Sequence, residues 1–147
     1  MFSLDANVIF YAADRTAGPR HAAARQILRD AVGGSAAIGE QALFEFYHST
    51  TRRGRIPASE AAIIIGDLAR NFTLMLPHQT IVEDALQLVS THRLSIWDAR
   101  MLAVCAAHKC HTLLSEDMRD GGIYNGVRVV NPFVSKNARI VRELLVS

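Results

Sequence analysis

The chain has 147 residues, half of them apolar, and a formal net charge of +2 at pH 7. This length suits one domain, residues 1–147, with a hydrophobic core of its own. No apolar run approaches the roughly 18 residues of a membrane-spanning helix, and the N-terminus lacks the features of a signal peptide. We therefore expect a cytoplasmic enzyme or binding module with no membrane association.

The cysteines and the mild positive charge each exclude a class of protein. Cys105 and Cys110 lie five positions apart with no second pair, so we expect reduced thiols rather than a zinc site, with Cys105 in the core. A net charge of +2 is too small for a protein that coats nucleic acid with its whole surface. Most of the basic residues are arginines, whose planar groups suit phosphate, but a GC-rich genome explains the same bias equally well.

In the first half of the chain, short apolar runs alternate with apolar residues at helical spacing. In order, the pattern predicts a strand at 2–4, a helical turn at 8–11, a loop at 14–19, a helix from 20 to the glycine pair 33–34, a weak strand at 35–38, a helix at 41–52, a helix that begins near Pro57 and continues to 71, and a strand at 72–76. The first strand delivers Asp5 at its C-terminal end.

The second half continues the alternation. A capping-box pattern of Thr80 and Glu83 opens a helix that ends near 92. Another helix is expected to begin at 97–98 and to run to 109, followed by a strand at 112–114, a glycine-containing loop at 118–126, a strand at 127–130 and a helical tail within 134–147 that docks on the body or on a partner chain. Such alternation predicts an α/β sandwich around a mostly parallel sheet.

Acidic residues fall where a parallel sheet places its ligands. Asp5 ends the first strand, Asp98 begins a late helix, and Asp117 follows the next strand. Ligands bind outside the carboxyl ends of such strands, so we expect these three to share one edge. Glu45 joins them if the polar stripe of its helix, which also carries Gln41, faces the crevice.

Several carboxylates in a partly buried pocket repel one another unless a cation is present. Oxygen ligands of this kind suit Mg²⁺ or Mn²⁺. Such an ion polarises a phosphodiester and lowers the pKa of a bound water. The reaction that fits this chemistry is hydrolysis of a nucleic-acid backbone.

Each of these residues also has a purely structural explanation. On position alone, Asp98 is better explained as an N-cap. Asp117 could be a simple turn residue, and Glu116 competes with it for any role at that strand end. Glu45 could face solvent, and Asn7 could form a turn, orient Asp5's carboxylate or hold a metal-bound water. The agreement of the positions on one sheet edge favours the metal site.

Other enzyme classes lack their motifs in this sequence. There is no Gly-x-Ser-x-Gly nucleophile elbow, no phosphate-binding glycine loop with a lysine, and no Gly-x-Gly-x-x-Gly. His108 and His111 flank a helix end at a spacing that matches no usual metal motif.

At the acidic residues the sequence resembles the PIN-domain ribonucleases, and more closely the VapC-type toxins of bacterial toxin–antitoxin pairs. The matching segments are LDANVIFYA, ALFEFYH, LSIWDARMLAVCAAHKC, TLLSEDMRDG and GVRVVNPF, which together span residues 1 to about 133. Each segment is short and degenerate, but their order and spacing are fairly specific. The tail after Pro132 is longer than the resemblance leads us to expect.

The resemblance implies a three-layer α/β/α fold and an endoribonuclease that uses Mg²⁺ or Mn²⁺ to cleave RNA. It also implies a homodimer and a cognate antitoxin that silences the enzyme by inserting a segment into its groove. By matching position, the catalytic and metal-binding acids would be Asp5, Glu45, Asp98 and Asp117, with Asn7 and Ser115 as supporting polar groups. For RNA contacts we expect Arg15, Arg20, Arg52, Arg53 and Arg55.

Two alternatives remain open at this stage. One is a catalytically inactive RNA- or protein-binding PIN-like module whose carboxylates hold a partner's arginines. The other is a phosphoryl-transfer enzyme with Asp5 as a covalent nucleophile, which would be expected to carry a second aspartate where Asn7 stands and a well-placed lysine.

Overall fold

A computed structural model describes residues 1–52 and 54–146. Within these residues the strands are β1 (Phe2–Leu4), β2 (Ala36–Gly39), β3 (Thr73–Met75), β4 (Thr112–Leu114), β5 (Ile123–Tyr124) and β6 (Val127–Val130). The helices are α1 (Ala6–Ala13), α2 (Pro19–Ala31), α3 (Glu40–Arg52), α4 (Ala58–Asn71), α5 (Ile81–His92), α6 (Ile96–Ala107) and α7 (Ala138–Leu145), and a 3₁₀ turn at Ser135–Asn137 precedes α7.

The strands form one sheet in the order β3-β2-β1-β4-β6-β5, parallel except for β5, which pairs antiparallel with β6. The chain moves outward from β1 through β2 to β3 and then returns to β4 on the other side of β1. Leu4 pairs with Leu114, so β1 and β4 end at the same level. This switch in direction opens a crevice between their carboxyl ends, where α/β sheets bind ligands.

The sheet separates two hydrophobic cores because successive strand residues point to opposite faces. Leu4, Ile38 and Leu114 pack in the core beneath α1 to α4 and α7. Leu113 and Val129 pack in the core beneath α5 and α6. The arrangement confirms the predicted three-layer α/β/α fold with a mostly parallel sheet.

The start of α6 differs from the prediction in a way that matters for the site. The helix begins at Ile96, and Ser95 is its N-cap: Ser95 Oγ accepts a hydrogen bond from the backbone N–H of Asp98 at 3.1 Å. The explanation of Asp98 as an N-cap is therefore wrong. Because Ser95 performs that role, the Asp98 carboxylate is not used by its own helix end.

Other local predictions also needed correction. Thr80 precedes α5, but its Oγ1 donates to Asp84 at 2.9 Å instead of capping the helix, so the capping box does not form. Pro57 precedes α4 as its N-cap residue rather than lying in its first turn.

The predicted loop at 118–126 contains the strand β5. A turn at Asn125 and Gly126, with φ of 48° and 80°, connects β5 to β6. An Asn-Gly pair between apolar residues is a strong hairpin signal, so this hairpin was predictable from the sequence.

The tail docks on the body of the protein. Val141 of α7 is buried, and Ile140 and Leu144 pack against the core shared with α1 to α4. Cys105 and Cys110 are free, as predicted, and Cys105 is buried, as predicted. Cys110 is also buried. Among the described residues, no helix has the length and apolar character needed to span a membrane.

Candidate active site

Asp5 occupies the junction of β1 and α1. It is the N-cap of α1, where its Oδ1 accepts a hydrogen bond from the backbone N–H of Ala6 at 2.6 Å. Its Oδ2 accepts hydrogen bonds from Ser115 Oγ and, at 3.0 Å, from Asn7 Nδ2. Only 4% of Asp5 is exposed. Neighbouring groups therefore fix both carboxylate oxygens.

Asn7 and Ser115 join Asp5 to Asp117 across the crevice between β1 and β4. Asn7 Nδ2 lies 3.0 Å from Asp5 Oδ2 and 3.1 Å from Asp117 Oδ2. Ser115 Oγ, which donates to Asp5, also accepts from the backbone N–H of Asp117 at 3.2 Å. Asn7 Oδ1 is buried and has no hydrogen-bond partner in the described part of the chain. We call Asp5, Asn7, Ser115 and Asp117 the strand-end group.

Glu45 reaches the same crevice from α3. It lines a cavity of about 300 Å³ together with Asn7, Tyr11 and Asp117. Its Oε1 accepts a hydrogen bond from Gln41 Nε2 at 2.6 Å. Glu45, on the polar stripe of α3, therefore faces the crevice at the carboxyl edge of the sheet.

The crowding of carboxylates changes the acidity of Asp5. Its pKa is raised from 3.8 to about 7, chiefly because burial disfavours the charged form. Hydrogen bonds from Ser115 and from the backbone of Ala6 oppose this rise, whereas the charges of Asp117 and Glu45 add to it. Near pH 7 Asp5 is thus partly protonated, and a cation beside it would favour loss of that proton.

Asp98 lies in the first turn of α6, and the structure does not bring it into hydrogen-bond contact with the strand-end group. Its carboxylate makes no hydrogen bond or ion pair with residues 1–52 or 54–146. The preceding carbonyl, that of Trp97, accepts a hydrogen bond from Gln41 Nε2 at 3.1 Å. Gln41 therefore links the turn that carries Asp98 to the helix that carries Glu45.

The oxygen-rich donor set fits a hydrated Mg²⁺ or Mn²⁺ better than Zn²⁺. In the part of the chain that the structure describes, no three His, Cys, Asp or Glu side chains are grouped closely enough to hold a metal ion between them. Mg²⁺ needs fewer protein ligands, since it is often held by one or two carboxylates and keeps several waters. Asp5 and Asp117 supply two carboxylates joined through one amide, and beside them Asn7 Oδ1 is an acceptor with no partner among residues 1–52 and 54–146.

Of the arginines expected to contact RNA, Arg20 lies beside this cavity. Its Nε is 3.1 Å from Glu116 Oε2, and its guanidinium carbon lies 5.6 Å from the centre of the Tyr11 ring. Tyr11 also donates a hydrogen bond to Glu116, and both residues line the cavity. Arg20 is therefore held at the rim by a carboxylate and an aromatic face.

The other arginines are less directly placed. Arg55 forms an ion pair with Asp14 and lies 5.4 Å from the centre of a phenylalanine ring in α1. Arg15 and Arg52 are exposed. Arg53 lies outside the described residues.

Sequence reasoning missed the polar partners around the acids. Arg100 Nη1 donates to Gln41 Oε1 at 2.8 Å, and Tyr11 donates to Glu116. Gln41 stands four residues before Glu45 on one helix face, which was a usable signal for their hydrogen bond. No local pattern indicates Arg100, because it reaches Gln41 across 59 sequence positions.

Comparison with known proteins places this site in a family. The family model for the PIN domain matches residues 3–119, which include all four acids. No curated protein matches the chain with statistical significance. Among solved structures, a toxin–antitoxin complex from Klebsiella pneumoniae is 22% identical with a TM-score of 0.65, and the match covers 90% of this chain and 98% of that one.

Two further structures have the same fold. VapC20 of Mycobacterium tuberculosis, described as a sarcin–ricin loop cleaving toxin, is 19% identical with a TM-score of 0.67, and the match covers 87% of this chain and 99% of that one. The FitAcB structure from Neisseria gonorrhoeae is 16% identical with a TM-score of 0.62, with 90% and 99% covered. These likenesses show a shared fold, and the family model covers more than half of the sequence. The chain belongs to the PIN domain family.

Proposed function

We propose that this protein is a metal-dependent endoribonuclease that acts as the toxin of a toxin–antitoxin pair. One observation carries the proposal: the strand-end group gathers two carboxylates, an amide and a hydroxyl at the switch point of the sheet, with Glu45 facing the same cavity. Membership of the PIN domain family supports it. So does the fold shared with VapC20, a toxin described as cleaving the sarcin–ricin loop.

In this proposal Asp5 and Asp117 hold Mg²⁺ or Mn²⁺, and Glu45 and Asp98 complete the acidic set. The bound ion would polarise the phosphodiester and lower the pKa of the attacking water. Asn7 holds the two aspartates together through one amide nitrogen, and Asn7 Oδ1 is available to orient a water. Burial keeps Asp5 from moving, so this acid does not have to be ordered when RNA arrives.

The second supporting residue, Ser115, acts through hydrogen bonds. Its hydroxyl donates to Asp5 and so favours the ionised carboxylate. The same oxygen accepts the backbone N–H of Asp117, which fixes the turn after β4. Ser115 therefore favours the ionised form of one acid and fixes the position of the other.

RNA contacts at the rim are assigned first to Arg20. Glu116 binds its Nε, which leaves the two terminal nitrogens of the guanidinium for a phosphate. Arg15, Arg52, Arg53 and Arg55 would add a less specific electrostatic attraction.

A cognate antitoxin and a second copy of the chain are the proposed protein partners, and a cytoplasmic activity is part of the same proposal. Solved relatives of this fold include a toxin–antitoxin complex. Phe44 and Trp97, 70% and 63% exposed, form an apolar surface beside Glu45 that a second copy would cover.

The covalent alternative loses support from the neighbours of Asp5. It would be expected to carry a second aspartate where Asn7 stands and a well-placed lysine, whereas the side chains that bond the Asp5 carboxylate are those of Asn7 and Ser115. The inactive binding module remains the rival, and metal-dependent cleavage separates it from the nuclease.

The test is cleavage of a mixed cellular RNA pool by the purified protein, with Mg²⁺ or Mn²⁺ and with a chelator. We expect discrete products that require the metal and disappear in the Asp98→Ala variant. Intact RNA in every lane, together with no metal binding, would favour the binding module.

A further inference from the structure

A chain of side-chain contacts connects Glu45 to a cation on α6. Glu45 Oε1 accepts from Gln41 Nε2 at 2.6 Å, and Gln41 Oε1 accepts from Arg100 Nη1 at 2.8 Å. The guanidinium also forms an ion pair with Glu40, the first residue of α3. Gln41 is 7% exposed, and the side chains of Arg100 and Glu40 are 25% and 20% exposed. This polar chain is therefore largely shielded from water. Charge-assisted hydrogen bonds are stronger in such surroundings than in water.

Gln41 uses three of its four hydrogen-bonding positions in this arrangement. Its second contact as a donor is to the carbonyl of Trp97, the residue before Asp98. The amide thus touches Glu45 on α3 and the first turn of α6 at once. A shift of either helix would break at least one of these bonds and leave a buried polar atom unsatisfied.

The same chemical chain occurs once more, on the exposed surface of α2. Arg29 Nη2 donates to Gln26 Oε1 at 2.6 Å, and Gln26 Nε2 donates to Asp30 at 2.7 and 2.8 Å. All three of these residues are exposed. The exposed chain joins residues of one helix only, whereas the buried chain joins two helices that each carry an acid of the proposed site. Because the contacts among Arg29, Gln26 and Asp30 are exposed, they should contribute little to the free energy of folding. They therefore supply a matched control for the buried chain.

We propose that Gln41 and Arg100 are positioning residues that hold the Glu45 carboxylate toward the strand-end group and fix the turn carrying Asp98 against α3. This inference rests on the proposed function, because it assigns these residues a part in building the metal-binding acid set. Neither residue touches the reacting atoms. They act on the site by fixing the direction of the Glu45 carboxylate and the spacing of α3 and α6.

The experiment compares Gln41→Met with Gln26→Met. Methionine keeps the length of the side chain and removes its donors and acceptor. The first readout is the affinity for Mn²⁺ measured by calorimetry without RNA, and we expect roughly 10-fold weaker binding in Gln41→Met, typical of an outer-shell partner, and no change in Gln26→Met. The second readout is cleavage, where kcat should fall while KM for RNA stays within twofold.

A double-mutant cycle with Glu45→Gln separates positioning from a general loosening of the fold. If Gln41 acts partly through the Glu45 carboxylate, Gln41→Met should weaken Mn²⁺ binding by a clearly smaller factor once Glu45→Gln is present, because only its effect through the turn that carries Asp98 remains. An equal weakening in both backgrounds would overturn the inference. Arg100→Lys, with Arg29→Lys as its control, tests the same chain while keeping the charge, and it should weaken Mn²⁺ binding in the same direction by a smaller factor.

The outcomes also separate this inference from the proposed function. If the unmodified protein binds Mn²⁺ and cleaves RNA while Gln41→Met behaves like Gln26→Met, only the positioning role fails. If the unmodified protein neither binds Mn²⁺ nor cleaves RNA, the proposed function fails and the positioning role fails with it.

Discussion

The two halves of the acidic site are built differently. The strand-end group follows β1 and β4, and its members are joined by direct hydrogen bonds. The helix-borne acids, Glu45 and Asp98, stand on α3 and α6; the first is held through Gln41, and the carboxylate of the second has no bond to any described residue.

This difference shows where the free-energy cost of the site lies. Parallel strands that end at the same level bring the strand-end group together as a direct consequence of the fold, and the cost appears as the raised pKa of Asp5. The helix-borne acids lie on separate elements, so their spacing depends on how helices pack. For a cation, the strand-end group is therefore the preformed half of the site. The helix-borne acids are the half whose positions depend on neighbouring side chains.

The largest expected effect comes from a substitution in the strand-end group, which is the preformed half of the site. Asp5→Asn removes a charged oxygen without removing volume, and we expect the RNA cleavage rate to fall by roughly 1,000-fold, equivalent to about 4 kcal/mol of transition-state stabilisation. The measurement is single-turnover cleavage of one RNA that the protein is shown to cut.

Asp30→Asn, an exposed aspartate on α2, serves as the control and should cleave RNA at the normal rate. A rate for Asp5→Asn within tenfold of the control would contradict a direct role for Asp5.

The second effect concerns stability and pH in the absence of divalent metal. Because the pKa of Asp5 is about 7 in the folded protein and 3.8 in its ordinary state, the folded protein binds an extra proton between these values. The free energy of unfolding should therefore be highest below pH 4 with respect to this group, and should fall as the pH rises to 7, by at most about 4 kcal/mol. Asp120, whose pKa is lowered from 3.8 to about 2, changes the free energy of unfolding with pH only between those two values, below the range considered for Asp5.

Urea unfolding at a series of pH values with a chelator checks this expectation. Asp5→Asn should flatten the decline and be more stable than the unmodified protein at pH 8. A wild-type profile that rises from pH 4 to 7 would mean that the Asp5 carboxylate is stabilised, not penalised, by its surroundings.

A smaller effect is expected when a supporting group of the preformed half is removed. Ser115→Ala takes away the hydroxyl bonded to Asp5 and to the backbone of Asp117, and we expect a loss of roughly 10-fold to 100-fold in Mn²⁺ affinity. Calorimetric titration measures this loss. Ser90→Ala, at an exposed site on α5, should bind Mn²⁺ normally, and the idea fails if the two variants are indistinguishable.

At the rim, Arg20→Ala should weaken RNA binding. It should also reduce the magnitude of the slope of log affinity against log salt concentration by about 1, because one phosphate contact is lost. Binding is measured in chelator to prevent cleavage. Arg25→Ala, on the same helix and exposed, is the control. An unchanged slope in Arg20→Ala would show that its guanidinium does not meet phosphate.

The smallest expected effect is on stability, and it sharpens the contrast between the halves. Asp98→Asn should change the free energy of unfolding without metal by no more than about 0.5 kcal/mol, since its carboxylate makes no hydrogen bond or ion pair with residues 1–52 or 54–146, yet it should abolish cleavage. Chemical denaturation and the RNA assay, run on the same preparation, test both statements. A destabilisation of several kcal/mol would reveal a structural role for Asp98.

The sequence predicted most of the fold because its signals were local and repeated. Apolar periodicity located the helices, and the short strands alternated with them as in a parallel sheet. Errors came from choices between neighbouring polar residues, where Ser95 rather than Asp98 caps α6 and Thr80 bonds Asp84 rather than the helix end. Such choices depend on side-chain rotamers that no spacing rule determines.

At the candidate site, position along the chain was enough to place Asp5 and Asp117 at one edge, because parallel strands determine where their ends meet. The partners were harder to predict. Asn7 was seen as a possible support for Asp5, but its contact with Asp117 spans 110 positions, and the link from Arg100 to Gln41 spans 59. Contacts of this length follow from tertiary packing alone.

The most direct test of a metal site at the strand-end group is a calorimetric titration of Mn²⁺ into the unmodified protein and into Asp5→Asn at pH 7. The unmodified protein should bind Mn²⁺ saturably and release a proton, detected as a dependence of the heat on the buffer, because burial raises the pKa of Asp5 to about 7. Asp5→Asn should bind far more weakly and release no proton. Equal binding by the two proteins, or no binding by either, would contradict a metal site built on the strand-end group.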